Sequence, residues 1–206
     1  MTSGLVLFDI DGTLLRRAGP HHREALIEAI RKASGLRTTL DGIPVAGMLD
    51  RDIAAAMMRA AGAREAAIRR AMPQIVEDAQ KIYARTCPDL RRKVCPGVRG
   101  LLYKLARRGV PTGLVTGNLT RIGWTKMERA GLRHYFRFGV FSERARDRAA
   151  LAWLAIAEAR RKGWIDRGSP IALIGDHPND LRGARQRHPG DFGRYGARGD
   201  GGAGKA

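Results

Sequence analysis

Four aspartates lie at or shortly after the ends of short apolar runs, a placement that calls for a chemical reason. Side chains that follow parallel strands converge at one edge of the sheet, and carboxylates gathered there repel one another strongly. A hard divalent cation such as Mg²⁺ relieves that repulsion because it prefers oxygen ligands and usually keeps waters and substrate phosphate oxygens. Carboxylates combined with such a cation indicate phosphoryl chemistry. The four residues are Asp9, Asp11, Asp176 and Asp180.

The elements that must position these residues alternate between short strands and longer helices. Four short apolar runs show no alternation between apolar and polar residues. This pattern is typical of strands in a parallel sheet that is buried on both faces. Strands are predicted over 5–8, 112–115, 138–141 and 171–174. Helices are predicted over 98–108, 119–130 and 148–162. This alternation predicts an α/β fold with a Rossmann-like, doubly wound parallel sheet and right-handed crossovers.

The region between the first two strands breaks this rhythm because it contains no convincing strand. Apolar residues recur there at helical spacing and predict helices over 22–34, 50–61 and 64–85. We therefore predict an inserted α-helical cap domain. The predicted division is a core formed by 1–15 and 92–185, a cap over 16–91, and a tail over 186–206. The tail is rich in Gly and Arg with few large apolar residues, so it is predicted to be disordered.

The bulk composition limits the class of protein. The chain has 206 residues, 44% hydrophobic and 28% charged, which suits a soluble globular fold, and no apolar run approaches a membrane span. The N-terminus lacks a signal peptide's basic segment and the two cysteines form no CxxC pair, so a cytoplasmic protein is expected. The net charge of +18 leaves a nucleic-acid partner open, but the scattered arginines favour solvated helix faces.

Three motifs, in this order, resemble those of the haloacid dehalogenase superfamily. They are DIDGT at 9–13, LVTGN at 114–118 and LIGDHPND at 173–180, each at a predicted strand end. The helical insert lies where that superfamily carries its C1-type cap, and GMLDRDIAAAM at 47–57 resembles a cap segment of its phosphoglycolate-phosphatase-like branch. The resemblance covers roughly residues 1–185. It implies a Mg²⁺-dependent phosphatase that hydrolyses a small phosphorylated metabolite.

The resemblance also implies a role for each matching residue. Asp9 would attack phosphorus and form an aspartyl-phosphate, and Asp11 would protonate the leaving oxygen and then deprotonate water. Mg²⁺ would bind the Asp9 carboxylate, the Asp11 backbone carbonyl and Asp176. Asp180 would orient the metal shell. The phosphoryl group and the substrate would be held by residues from two strand ends, namely Gly12, Thr13, Thr116, Gly117 and Asn118.

The sequence departs from the family pattern in two places. The third motif is a lysine after the third strand, but residues 141–153 contain no lysine. Arg144, Arg146 or Arg148 would replace it, with Arg148 favoured; the alternative is that all three are solvated loop arginines. The strand and helix that normally follow the fourth motif are also missing, so the C-terminal part is atypical or truncated, through a frameshift or as a truncated paralogue.

Other activities remain open from the residues alone. Asp11 argues against a dehalogenase, because halide leaves without a proton. A phosphomutase of the same superfamily shares both aspartates, and a catalytically impaired nucleic-acid-associated protein is the alternative from another class. Asp180 could instead begin a helix as its cap.

Four positions in the insert also carry an expectation. The adjacent residues His21 and His22 are expected to cap the first insert helix. Asp50 and Arg51 are candidates for substrate selection, because the cap selects the substrate in the branch that the chain resembles.

Overall fold

The computed structural model describes residues 4–16 and 19–176. Within them lie three of the four predicted metal ligands. Asp180, the predicted tail over 186–206 and the atypical C-terminal part beyond residue 176 lie outside the described residues.

A four-stranded parallel sheet forms the centre of the described fold. The strands are β1 (Leu5–Phe8), β2 (Thr112–Val115), β3 (Phe138–Val140) and β4 (Ile171–Ile174). Their spatial order is β3-β2-β1-β4, and every pair is parallel. Because β1 lies between β2 and β4, whatever follows β1 has two strand ends beside it. The predicted fold class, an α/β doubly wound parallel sheet, is confirmed.

Six α-helices connect and cover these strands. They are α1 (His21–Ser34), α2 (Asp50–Ala60), α3 (Glu65–Thr86), α4 (Val98–Arg107), α5 (Thr120–Arg129) and α6 (Arg148–Arg161). Each corresponds to a predicted helix and differs from it by one residue at one or both ends. Such differences are expected because helix ends fray and tighten.

The two faces of the sheet are covered by different helices, because successive residues of a strand point to opposite sides. Leu5 and Leu7 pack with buried residues of α6, such as Ile156, in one apolar cluster. Phe8 packs with residues of α4 and α5 in another, represented by Leu102. Burial on both faces explains why the strands read as unbroken apolar runs rather than as alternating ones.

The three helices between β1 and β2 pack chiefly on one another. Helix α1 lies against α3, and α2 contacts both. The face of α2 that includes Met57 and Met58 is buried, as its helical spacing predicts. The same buried cluster includes residues of β1 and of α5, so the apolar packing runs across the predicted boundaries at 15/16 and 91/92. The domain division therefore stays a prediction.

No helix in the described parts of the chain is both long enough and apolar enough to span a bilayer.

Candidate active site

Asp9 lies at the carboxyl end of the central strand and is buried. Its N–H donates to the carbonyl oxygen of Ile174 at 2.9 Å, which extends the β1–β4 ladder by one step. Only 3% of the residue is exposed. A carboxylate at this depth needs a compensating partner, because burial penalises its charged form.

Arg148 supplies that partner from the first residue of α6. Its Nη1 atom lies 3.1 Å from Asp9 Oδ2, and both side chains are largely buried. The turn between β3 and α6 carries all three arginines that could replace the missing lysine, and Arg148 is the one that reaches Asp9. Arg144 instead pairs with Glu158 near the surface. The structure thus places the favoured arginine beside the predicted nucleophile.

The chain turns sharply directly after Asp9. The Gly12 N–H donates to the carbonyl oxygen of Leu15 at 2.8 Å, and Gly12 has φ of 82°. A Cβ atom at Gly12 would lie 2.0 Å from Oδ2 of Asp176. Glycine is therefore needed twice, for the left-handed backbone and for the close approach of the Asp176 carboxylate.

The loop after β2 brings Thr116, Gly117 and Asn118 to the same edge. Thr116 is fully buried, and its Oγ1 accepts a hydrogen bond from Asn118 Nδ2 at 3.1 Å. The same Nδ2 donates to Asp11 Oδ2 at 2.8 Å. Among the described residues, no hydrogen-bond partner meets the buried oxygens Asn118 Oδ1 and Thr13 Oγ1. These oxygens are available to a ligand at the edge where the sequence predicts one.

Gly117 is where the inserted helices meet this loop. Its carbonyl oxygen accepts a hydrogen bond from the Asp50 N–H at 2.8 Å. A Cβ at Gly117 would lie 2.6 Å from the carbonyl oxygen of Met48 and 3.2 Å from Nη2 of Arg148. The absent side chain lets the segment before α2 rest directly on the loop and next to Arg148.

Asp11 is held by a lysine that no sequence motif indicates. Lys126 lies on α5 with only 1% of its side chain exposed, and its Nζ atom is 2.6 and 2.8 Å from the two oxygens of Asp11. A buried lysine is rare unless it is paired. Asp11 thus faces Lys126 and Asn118, while Asp9 faces Arg148.

Two residues of the inserted helices extend this contact. Nδ1 of His22 lies 3.2 Å from Lys126 Nζ, and its Nε2 lies 2.9 Å from Asp50 Oδ2. The same Asp50 oxygen accepts a hydrogen bond from the Leu119 N–H at 2.8 Å. The expectation that the histidine pair caps α1 is wrong for His22: Pro20 is the N-cap residue, no side chain caps the helix there, and His22 turns toward the site.

Lys126 determines the charge state of Asp11. Burial alone would raise the pKa of Asp11, but the nearby charge of Lys126, the electrostatic effect of the His22 ring and the hydrogen bonds from Lys126 and Asn118 lower this pKa to about 2. Asp11 is therefore ionised at neutral pH, in the form that accepts a proton.

The donor set at this edge fits a divalent cation. Asp9 and Asp176 follow neighbouring strands, and Gly12 leaves the space into which the Asp176 carboxylate fits. Carboxylate oxygens are ligands that Mg²⁺ accepts. Within residues 4–16 and 19–176, no three His, Cys, Asp or Glu side chains form a metal cluster, and the Asp11 carboxylate engages Lys126. Among the described residues, the ligands that suit a divalent cation are therefore the carboxylates of Asp9 and Asp176 and the backbone carbonyl of Asp11.

A separate cleft of about 670 Å³ lies between α2, α3 and the turn after β3. Its lining mixes apolar side chains with arginines and includes Arg51, one of the two candidates for substrate selection. Asp50, the other candidate, is buried beside His22 instead. The arginines of the cleft are Arg51, Arg59, Arg69 and Arg146.

The structure brings many of the predicted site residues to one edge of the sheet and adds two residues that the sequence did not indicate. The strand ends bring together Asp9, Asp11, Gly12 and the loop after β2, as the spacing predicts. Lys126 and His22 were missed because each occupies an ordinary position in an amphipathic helix. The one available signal was the lysine itself, placed at 126 among the buried positions Ile122, Thr125 and Met127.

Comparison with known proteins agrees with this geometry. The family model of haloacid dehalogenase-like hydrolases matches residues 4–186. No curated protein matches the chain. Among solved structures, CbbY from Rhodobacter sphaeroides in complex with phosphate aligns with a TM-score of 0.62 at 20% identity, covering 90% of this chain and 82% of that chain.

Two further structures share the fold. A predicted phosphoglycolate phosphatase from Haemophilus somnus 129PT aligns with a TM-score of 0.60 at 18% identity, over 90% of this chain and 82% of that chain. The β-phosphoglucomutase from Clostridium difficile aligns with a TM-score of 0.62 at 15% identity, over 89% of this chain and 80% of that chain. The family match covers most of the chain, and this confirms the predicted enzyme class of hydrolase. This protein therefore belongs to the haloacid dehalogenase-like hydrolases.

Proposed function

We propose that the protein is a Mg²⁺-dependent phosphatase that hydrolyses a small organic phosphate monoester through an aspartyl-phosphate on Asp9. One observation carries the proposal: the Asp9 carboxylate is buried at the carboxyl end of the central strand and is paired with Arg148 at 3.1 Å. A nucleophile and a fixed guanidinium side by side suit an incoming phosphoryl group, because Arg binds its oxygens through a planar fork.

Asp9 acts as the nucleophile in the first step. One of its carboxylate oxygens forms a bond to phosphorus while the ester P–O bond breaks and its electron pair leaves with the alcohol oxygen. Arg148 stabilises the charge on the transferring group, and its ion pair with Asp9 positions the guanidinium beforehand. Splitting hydrolysis into two transfers lowers the barrier of each.

Asp11 handles the proton in both steps. Asp11 enters the first step in its protonated form and gives that proton to the leaving alcohol oxygen. In the second step the resulting carboxylate takes a proton from the water that attacks phosphorus and releases Asp9, which restores the protonated form. The low pKa of Asp11, about 2, favours its carboxylate form and so supports the base role in the second step. The side-chain amide of Asn118 donates a hydrogen bond to one of its oxygens.

The remaining residues at the edge bind the phosphoryl group and the substrate. Thr116, with the loop N–H groups of Gly117 and Asn118, lies next to the N-terminus of α5, where backbone donors favour anions. The buried Thr13 hydroxyl and the Gly12 turn complete the opposite side. These assignments rest on placement at one sheet edge.

The metal would be held by the Asp9 carboxylate, the Asp11 backbone carbonyl and the Asp176 carboxylate. Bound Mg²⁺ supplies positive charge that lowers the repulsion between Asp9 and the substrate phosphate. Asp180 is expected to orient the metal shell and lies outside the described residues.

The substrate class is a small phosphorylated metabolite. CbbY, which shares the fold, is described in complex with phosphate, and a variant of it in complex with xylulose-(1,5)-bisphosphate. We infer a cytoplasmic location from the sequence. The net charge leaves a nucleic-acid partner open, but the scattered arginines argue against one. A phosphomutase is the alternative within the family, and its fold is shared too.

The test is release of inorganic phosphate from 4-nitrophenyl phosphate and from a panel of phosphorylated metabolites. Wild type with Mg²⁺ is expected to release phosphate, and EDTA or Asp9→Asn to abolish the release. Asp41→Asn is the matched control, since Asp41 is an exposed aspartate in a loop bonded to Thr39. Activity that survives Asp9→Asn contradicts the mechanism.

The same panel separates the alternatives. A phosphomutase would convert a sugar phosphate to its isomer with little free phosphate, which ³¹P NMR of the reaction mixture distinguishes from hydrolysis. Tight binding of single-stranded nucleic acid that weakens steeply with salt, without hydrolysis of any ester, would favour the impaired binder.

A further inference from the structure

Lys126 is the most deeply buried charged side chain at the site, and the mechanism above gives it no role of its own. Both oxygens of Asp11 lie within 2.8 Å of its Nζ atom, and 1% of its side chain is exposed. Placing an ammonium group in the interior costs several kcal/mol unless its partners are well arranged. Such an arrangement fixes the position of the partner carboxylate as firmly as that of the ammonium group.

The partners of Lys126 come from two separate regions of the fold. Asp11 belongs to the turn after β1, whereas His22 belongs to α1 and contacts Lys126 Nζ through Nδ1 at 3.2 Å. The Tyr83 ring of α3 closes the pocket, with its centroid 5.6 Å from the His22 ring and 6.0 Å from Lys126 Nζ. The ammonium group is therefore held on the side opposite to Asp11 by the inserted helices.

The tautomer of a neutral His22 follows from these two contacts. Lys126 can only donate, so Nδ1 is the acceptor, and Nε2 must carry the proton that is donated to Asp50 Oδ2 at 2.9 Å. Asp50 is itself fixed by the Leu119 N–H at 2.8 Å. The chain of contacts runs from Asp50 through His22 and Lys126 to Asp11 and ends at the predicted acid and base.

We propose that Lys126 is a positioning residue that fixes the carboxylate of Asp11 for proton transfer, and that His22, backed by Asp50, fixes Lys126. This inference rests on the proposed function. A proton donor must lie within hydrogen-bond reach of the leaving oxygen, and a displacement of about 1 Å can cost roughly 100-fold in rate. Asn118 holds only one oxygen of Asp11, at 2.8 Å. Without Lys126 that carboxylate can rotate away from the substrate.

The leaving group provides a readout that a purely structural role would not move. An alkyl phosphate such as β-glycerophosphate needs a proton on its leaving oxygen, whereas 4-nitrophenolate leaves without one. For Lys126→Met, kcat/KM for the alkyl ester is expected to fall by about 100-fold and that for the aryl ester by less than about tenfold. The exposed Lys104 of α4 gives the matched control, Lys104→Met, which should leave both values unchanged.

A second pair of variants keeps the test decisive if Lys126→Met does not fold, which thermal melting would show. The side-chain amide of Asn places an acceptor near the Nδ1 position of histidine, and that of Gln reaches the Nε2 position. His22→Gln therefore loses the contact to Lys126 and is expected to raise the aryl-to-alkyl ratio of kcat/KM by about tenfold. His22→Asn keeps that contact and should change the ratio by less than about threefold.

The outcomes separate this inference from the proposed function. A wild-type protein that hydrolyses neither ester contradicts the proposed function. The positioning role of Lys126 is overturned by a different result. In that result wild type hydrolyses both esters, and the aryl-to-alkyl ratio of kcat/KM is the same in wild type, in folded Lys126→Met and in His22→Gln. A raised ratio in either folded variant, with an unchanged ratio in Lys104→Met, supports it.

Discussion

The two aspartates after β1 lie one residue apart, yet they are anchored in different ways. Asp9 pairs with Arg148, and both follow strands of the sheet at its carboxyl edge. Asp11 pairs with Lys126 on α5, which is held in turn by His22 of α1. The first anchor joins the end of β1 to the first residue of the helix that follows β3. The second joins the turn after β1 to the core helix α5 and, through His22, to the inserted helix α1.

This difference shows which parts of the site can be predicted from the local sequence. Strand ends converge whatever the helices do, because parallel strands share one edge. The face of a helix that meets a neighbour is instead decided by tertiary packing. Lys126 and His22 therefore look like residues of ordinary amphipathic helices until the helices are packed.

The largest expected effect is the loss of activity in Asp9→Asn, and its comparison with Asp11→Asn distinguishes the roles of the two aspartates. Asp9→Asn is expected to lower kcat by roughly 10⁴-fold for both aryl and alkyl phosphates, because it removes the nucleophile. Asp11→Asn should abolish turnover of the alkyl ester yet leave a first, stoichiometric release of 4-nitrophenolate. Stopped-flow absorbance measures that burst. Identical behaviour of both variants on both esters would contradict the assignment of separate roles.

Arg148→Ala tests the first anchor directly. Removing the guanidinium takes charge away from the transferring phosphoryl group and leaves Asp9 buried without this partner, so kcat is expected to fall by roughly 10²- to 10³-fold. Arg148→Lys should recover part of the activity, since it restores the charge without the planar fork.

Arg144→Ala is the matched control for that variant. Arg144 lies in the same turn, is half exposed and pairs with Glu158, so its loss should change stability by no more than about 1 kcal/mol and leave kcat near wild type. A larger loss of activity in Arg144→Ala than in Arg148→Ala would reverse the assignment of the residue that replaces the missing lysine.

Gly12→Ala tests the metal ligands on the strand-end side. An added Cβ would lie 2.0 Å from Asp176 Oδ2, so this carboxylate must move. The Mg²⁺ concentration for half-maximal activity is expected to rise roughly tenfold or more. Gly35→Ala is the matched control: its φ is 74° and its Cβ meets nothing within 4 Å, so it carries the backbone strain of roughly 1–2 kcal/mol alone. Equal Mg²⁺ requirements in the two variants would show that Asp176 is not a ligand.

The smallest effect concerns pH and the second anchor. The pKa of Asp11 is about 2 in the folded chain, below the model-peptide value of 3.8, so its ion pair stabilises the fold at pH above about 4. That stabilisation is lost as the pH falls from about 4 towards 2. It is expected to be about 1 kcal/mol or less, because Asp11 is partly exposed and screened by solvent. Urea unfolding of wild type and Asp11→Asn should therefore differ most at pH 5 to 7 and converge near pH 2.

Much of the fold was predictable, and the reasons are specific. Buried parallel strands leave unbroken apolar runs, so β1, β2 and β4 have the predicted bounds, whereas the run at 138–141 ends one residue early because Phe141 leaves the ladder. The strand-end residues Asp9, Gly12 and Thr116 follow from the same signal. Arg148 was considered only because the family pattern has a lysine in this region, and residue type alone could not choose among three arginines. Its contact with Asp9 was not predicted.

The helix-borne part of the site could not be predicted from the sequence. Nothing in the spacing of α5 indicates that Lys126 points at Asp11, since its neighbours on that face are apolar. His22 was interpreted as a cap because it stands at a helix start, but Pro20 takes the cap position and the imidazole meets Asp50 instead. Both depend on distances between residues far apart in the chain.

The most direct measurement of the central claim is the site of phosphorylation. Asp11→Asn incubated with Mg²⁺ and 4-nitrophenyl phosphate, quenched in acid and digested, should show one added phosphoryl group on the peptide that contains Asp9. The same treatment of Asp9→Asn should show none. Phosphate release by wild type without any phosphorylated aspartate, or a phosphoryl group on another residue, would contradict the account.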